Sequence, residues 1–164
     1  MQTREPGKLK LTANGDREIV MTRDFNAPRR LVFDAWTKPE LVRRWLAGPS
    51  GWTMTVCEID LKVGGSYRYE WTHESGNQMG MGGVYREIMV PELLVATEKF
   101  DQSWYPGGAI TRTTLAEKSG ITTVETTVTY DSKETRDGVL QSPMETGVAA
   151  SYDRLEMLFD SNFA

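Results

Sequence analysis

His73 is the only histidine in the sequence, so imidazole-based acid–base or nucleophilic chemistry would have to run through it. It stands beside Glu74, at the head of the turn-forming stretch Glu74-Ser75-Gly76-Asn77. A Ser–His or Cys–His couple needs its histidine in a pocket that excludes water. A turn offers none, and His73 reads as a solvated turn residue. Cys57 is the only cysteine. It alternates with Ile59 and Leu61, the setting of a small core hydrophobe and not of an activated thiolate. One histidine and one cysteine cannot assemble a zinc site, so neither a metal nor a cofactor is expected.

The closely spaced glycines of Gly80-Met81-Gly82-Gly83 suggest a phosphate cradle at first sight. A dinucleotide fingerprint requires a strand before the glycines and a helix after them, whereas these begin inside a strand and lead along it. Room for the rings of Tyr67, Tyr69 or Trp71 on a neighbouring strand is the better account. Pairing across a two-residue Ser119-Gly120 turn sets Leu115 opposite Val124, Thr113 opposite Thr126 and Thr111 opposite Val128, which turns Arg112 outwards with Thr127. Arg23 is in phase with Ile19, Met21 and Phe25, and points inwards to a structural ion pair. Glu58, Asp60, Glu70, Glu98 and Glu125 are spread over four strands. Acid–base catalysis needs two carboxyls that converge with one pKa raised, and at least three of these five alternate with apolar residues, as a solvated outer face does. No catalytic set is assigned.

The chain that must position these residues has 164 of them, with 19 basic and 23 acidic side chains and a net charge of −4. That length suits one domain. The acidic balance argues against a nucleic-acid binder, which would neutralise phosphates, and against attraction to an anionic membrane. A lone cysteine fits a reducing compartment. The opening MQTREPGKLKLTANGDREIV has no apolar signal core, and no run of about 18 apolar residues occurs, so a cytoplasmic location is expected. Residues 1–15 read as a flexible tail and residues 16–162 as the single domain.

Alternation marks a strand over Glu18–Phe25. Pro28 at a first helical position opens a short helix through Trp36, and the capping box Thr37-Lys38-Pro39-Glu40 opens a second with Leu41, Val42, Trp45 and Leu46 on one stripe. Six further strands follow: one around Cys57-Ile59-Leu61, one with Tyr67-Tyr69-Trp71 on one face, then 79–89, 93–100, 110–117 and 121–130. After a short helical turn, Ser142 and Pro143 start a helix with the stripe Met144, Val148, Tyr152, Leu155 and Phe159; over 143–160 it would be about 27 Å long. The fold class is α+β: a seven-stranded curved antiparallel sheet wrapped around a long C-terminal helix, with a concave space between them.

Four segments in this order, DFNAPRRLVFDAWTKPELVRRWLAGP, WTMTVCEIDLKVGGSYRYEW, GGVYREIMVPELLV and SKETRDGVLQSPMETGVAASYDRLEMLF, resemble the signatures of the SRPBCC (START/Bet v-like) superfamily. Within it the chain is similar to the branch of the activator of heat shock protein 90 ATPase C-terminal domain, often grouped with polyketide cyclases. The resemblance spans residues 18–159. It implies a helix-grip fold with a ligand-sized cavity, and in many members no catalytic residues are known. Two departures stand out. Trp45-Leu46 replaces the paired tryptophan usual in the family, which predicts a more open helix-plugged end. The eukaryotic activators carry an additional N-terminal domain for which this length leaves no room.

The inner surface so defined comprises Tyr67, Tyr69, Trp71, Met79, Met81, Tyr85, Thr111, Thr113 and Thr126 from the sheet, faced by Met144, Val148, Tyr152 and Leu155. Much of it is packed core. Its share of aromatic, methionine and hydroxyl side chains nevertheless suits an apolar ligand with a few polar groups. Non-catalytic binding of a hydrophobic or amphipathic small molecule, as a stress-associated accessory protein, is the leading expectation. A polyketide cyclase-like enzyme acting by positioning its substrate, and a chaperone interaction module without ligand, are the alternatives. The protein is expected as a monomer or homodimer.

Overall fold

The computed structural model describes residues 8–103 and 105–161. In chain order it comprises β1 (Lys10–Asn14), β2 (Glu18–Phe25), α1 (Arg29–Thr37), α2 (Pro39–Trp45), β3 (Trp52–Ile59), β4 (Ser66–His73), β5 (Gln78–Met89), β6 (Leu93–Phe100), β7 (Ala109–Lys118), β8 (Ile121–Tyr130), α3 (Lys133–Leu140) and α4 (Met144–Asp160). The strands form one antiparallel sheet in the order β1-β2-β8-β7-β6-β5-β4-β3. Strands β3 to β8 follow one another as a meander, while β2 docks beside β8 at the far side; α1 and α2 carry the chain across. The open, curved sheet leaves one face for α4, as expected of an α+β helix-grip domain.

The strand count is eight and not seven. The added strand, β1, lies inside the segment read as a tail and pairs with β2 from Lys10↔Thr22 to Asn14↔Glu18. Its side chains are almost all exposed, so it has no buried face to write an alternation into the sequence. Leu61 falls outside β3 and is exposed. His73 closes β4 and does not sit in the turn itself; its Nδ1 lies 2.8 Å from Ser75 Oγ and its ring rests on Trp52.

The β7–β8 hairpin follows the expected register throughout, from Lys118↔Ile121 through Leu115↔Val124, Thr113↔Thr126 and Thr111↔Val128. Ser119 and Gly120 both have positive φ, 54° and 78°, the geometry of a turn whose twist matches the strands it joins. Arg112 faces outwards opposite Thr127 and is exposed.

Helix starts are shifted. Pro28 is the extended residue before α1, not its first helical residue. The Thr37 hydroxyl donates back to the Phe33 carbonyl at 2.9 Å, within α1, and Lys38 precedes α2 without a side-chain cap. The capping box therefore does not form: Thr37 is still helical and cannot serve as a cap. Pro143 likewise precedes α4, and Ser142 donates to Val139 O. In α3 a cap does form, with Ser132 accepting from Thr135 N–H at 3.1 Å.

The core divides into two apolar groups. The larger contains Phe25, Phe33, Val42, Trp45, the β4 aromatics, Leu115, Val124, Tyr152, Leu155 and Phe159. The smaller joins Ile19, Met21, Ala109, Val128, Tyr130 and Val139. Val148 on α4 packs against both. No helix among the described residues is long and apolar enough to cross a membrane.

Candidate ligand-binding site

Strand alternation puts Tyr67, Tyr69 and Trp71 on the inner face of β4, where all three are buried. Tyr67 lies 5.2 Å from Tyr69 and 5.5 Å from Tyr85 by ring centroid, and Trp71 is edge-on to Tyr69 at 6.0 Å. The glycine account holds at one position: Gly83 opposes Tyr67. A Cβ there would run into the Thr97 carbonyl and lie 2.9 Å from the Tyr67 ring. That ring passes over the glycine, and its hydroxyl donates to Thr97 O at 2.7 Å. Gly80 and Gly82 oppose the outward Glu70 and Arg68 instead.

The opposite wall is hydroxyl-bearing. Thr113 and Thr126, both buried, share a 3.1 Å hydrogen bond, and the Thr111 hydroxyl donates to Ala96 O. Thr126 also reaches the Tyr152 phenol, whose pKa burial pushes up to about 12 against the lowering effect of Thr126 and Arg23. Met81, Tyr85 and Leu155 are buried as expected; Thr111, Met144 and Val148 are half-buried. Met79 is the departure. It is 36% exposed at the start of β5, one residue from the strand end, and lies on the rim.

Aromatic rings gather at the helix-plugged end, next to Leu46. Trp36 lies against Trp45 with centroids 4.7 Å apart and the rings tilted by 49°, and both rings meet Tyr152 beside Phe25. Backbone carbonyls at this end are used: Trp45 Nε1 donates to Ala35 O and Trp71 Nε1 to Leu46 O, both at 2.8 Å. Arg154 on α4 donates to Gly48 O at 2.7 Å, which fastens α4 to the end of α2. Arg23 makes the expected ion pair, 2.8 Å from Asp153, with Glu156 at 3.9 Å and its guanidinium over Phe25. Cys57 is buried, and burial pushes its thiol pKa up.

Sequence reasoning missed Glu98. It pairs with Ala109 on β7 and shares a face with Ala96, whose partner is the inner Thr111, so it is not one of the carboxylates of a solvated outer face. Burial pushes its carboxyl pKa up to about 7. Its charge in turn adds to the desolvation that raises the phenols of Tyr67, Tyr69, Tyr105 and Tyr130. The phase of β6 is hidden in the sequence because Leu93, Leu94, Val95 and Ala96 are all buried, so alternation cannot separate its two faces. Among the described residues no cluster of His, Cys, Asp or Glu is arranged to hold a metal ion.

A curved antiparallel sheet gripping a C-terminal helix, with an aromatic wall facing a hydroxyl wall, defines a helix-grip protein of the SRPBCC superfamily. The chain belongs to the family described as Activator of Hsp90 ATPase homolog 1-like protein, whose profile matches residues 26–160. A crystal structure of a Rhodobacter sphaeroides protein superposes with TM-score 0.89 at 26% identity, covering 94% of this chain and 99% of that one. A Chromobacterium violaceum protein gives 0.72 at 29% identity, covering 87% and 96%. An HSP90 activator from Plasmodium falciparum shares the fold, with TM-score 0.61 at 18% identity over 88% of this chain and 96% of that one. No curated protein matches the chain.

Proposed function

We propose that the protein binds a hydrophobic or amphipathic small molecule between the inner face of the sheet and α4, without transforming it. The observation that carries this reading is the composition of the inner face. Tyr67, Tyr69 and Tyr85 belong to the larger apolar group, and Thr111, Thr113, Thr126 and Glu98 continue the same face of the sheet across β6, β7 and β8. A domain evolved only to close-pack would fill such positions with leucine, isoleucine and valine. Aromatic walls with a few placed polar groups are what a ligand site uses.

Val148 supports a decisive test because it touches both apolar groups from α4. With an apolar fluorescent probe, the parent should bind and shift tryptophan emission through Trp71. Val148→Trp should abolish probe binding while leaving thermal stability near the parent's. In a filled core the same change would cost about 1–3 kcal/mol by overpacking. A destabilised variant of a parent that never bound the probe overturns the proposal.

A second reading, contact with a chaperone, is supported by the family's description and by exposed apolar side chains at Val63, Val84, Met89 and Val90. Co-sedimentation or calorimetry with purified Hsp90 tests it. A Met89→Asp variant should weaken such a contact and leave probe binding intact.

A further inference from the structure

Glu98 gives this interior a chemical preference, an inference that rests on the ligand-binding reading above. In the cross-strand row, Tyr67 opposes Gly83, and Glu98 opposes Ala109, which opposes Tyr130. The pairs Gly82↔Lys99 and Tyr85↔Ala96 bracket Gly83 beside Glu98. The carboxylate therefore stands between a glycine and an alanine, with tyrosines beyond each. Bulk is missing on both sides of this carboxylate.

No hydrogen bond or ion pair from a described residue reaches that carboxylate. Other acids in the molecule are served: Asp101 by Arg68 at 2.8 Å, Asp137 by Lys133 at 2.8 Å, Asp153 by Arg23 at 2.8 Å. The carboxylate is half-buried and has no donor among the described residues, so its ionised form is only partly solvated and its acceptor positions are open to a partner from outside the chain. The groups that face it are Tyr67 and Tyr69 from β4, Tyr130 from β8 and Tyr105 from the segment between β6 and β7. All are aromatic and neutral at physiological pH, and none supplies positive charge.

We propose that Glu98 anchors a cationic nitrogen, so that the ligand is an amphipathic amine whose ammonium meets the carboxylate among the tyrosine rings and whose apolar body extends over the inner face of the sheet. An ammonium supplies the missing donors as charge-assisted hydrogen bonds. Tyrosine faces favour a cation electrostatically. An anionic amphiphile meets an unscreened carboxylate and is rejected.

The test uses decylamine, decanol and decanoate, each below its aggregation concentration and measured by displacement of a neutral apolar probe. Decylamine should bind the parent at least about tenfold more tightly than decanol, with decanoate weakest. Glu98→Gln should bring decylamine down to the decanol value and leave decanol unchanged, while the outward Glu125→Gln should keep the preference. Lowering the pH until Glu98 is protonated should erase the preference in the parent. Equal affinity for amine and alcohol, or a preference surviving Glu98→Gln, overturns the anchoring role while leaving the ligand site standing. Failure of all three compounds and the probe to bind overturns the ligand-binding reading and this inference with it.

Discussion

Glu98 and Arg23 are two charged side chains drawn into the same interior and settled differently. Arg23 is 7% exposed, but α4 brings Asp153 to it at 2.8 Å. Glu98 has no such neighbour, and its folded-state pKa of about 7 stands above the ordinary 4.5. A raised carboxyl pKa means that the folded chain holds the proton more tightly than the unfolded one. Stability is then undiminished below about pH 4.5 and falls as pH rises through about 7. Glu98→Gln should therefore be more stable than the parent at pH 8, by on the order of 3 kcal/mol. The difference should shrink through pH 7 and vanish near 4.5. Urea titrations of both proteins across that range check it; a pH-independent difference would mean that the carboxyl is solvated.

Among the elements, α4 depends most on one face. Leu155 is fully buried and Tyr152 and Phe159 nearly so, while Arg154 is tied to Gly48 O and Asp153 to Arg23. Leu155→Asp would bury a carboxylate with no partner, and far-UV circular dichroism should show an unfolded or partly folded chain at 25 °C. A melting temperature like the parent's would contradict the packing of α4 on the sheet. The β7–β8 turn makes a smaller, graded claim. Gly120 has φ 78° with open space at its Cβ position, so Gly120→Ala meets only backbone strain. A loss of about 1 kcal/mol is expected from thermal melts, with the sheet otherwise intact.

For the molecule as a whole, local rules reached as far as local connections go. The register of β7 on β8 was legible because two residues join them, and a two-residue turn admits one pairing. The register of β6 on β7 was not, since the segment from Asp101 to Gly108 leaves the offset open, and with it the face that Glu98 takes. The lining from Tyr67 to Tyr85 was readable from alternation, apart from Met79 at the rim. β1 escaped for lack of a buried face, and the helices start later than the motifs at Pro28, Thr37 and Pro143 because a capping motif does not say which residue first turns helical: Pro28 and Pro143 stay outside, and Thr37 still belongs to α1. β1 nonetheless covers the outer edge of β2, and unpaired edges recruit other chains. A chain starting at Asp16 should keep its far-UV spectrum but self-associate, as light scattering would show. A strictly monodisperse truncation would mean that the β2 edge needs no cover.

Gly83 and Ala109, on either side of Glu98, differ in how freely they can change. A side chain at 83 would collide with the Thr97 carbonyl, so that flank is locked by the backbone. Ala109 already carries a Cβ and sits in an ordinary strand. Mutation can reshape the space beside Glu98 from one side only. On the ligand-binding reading proposed above, divergence in guest size would run through residue 109, with the tyrosine-covered flank inherited unaltered.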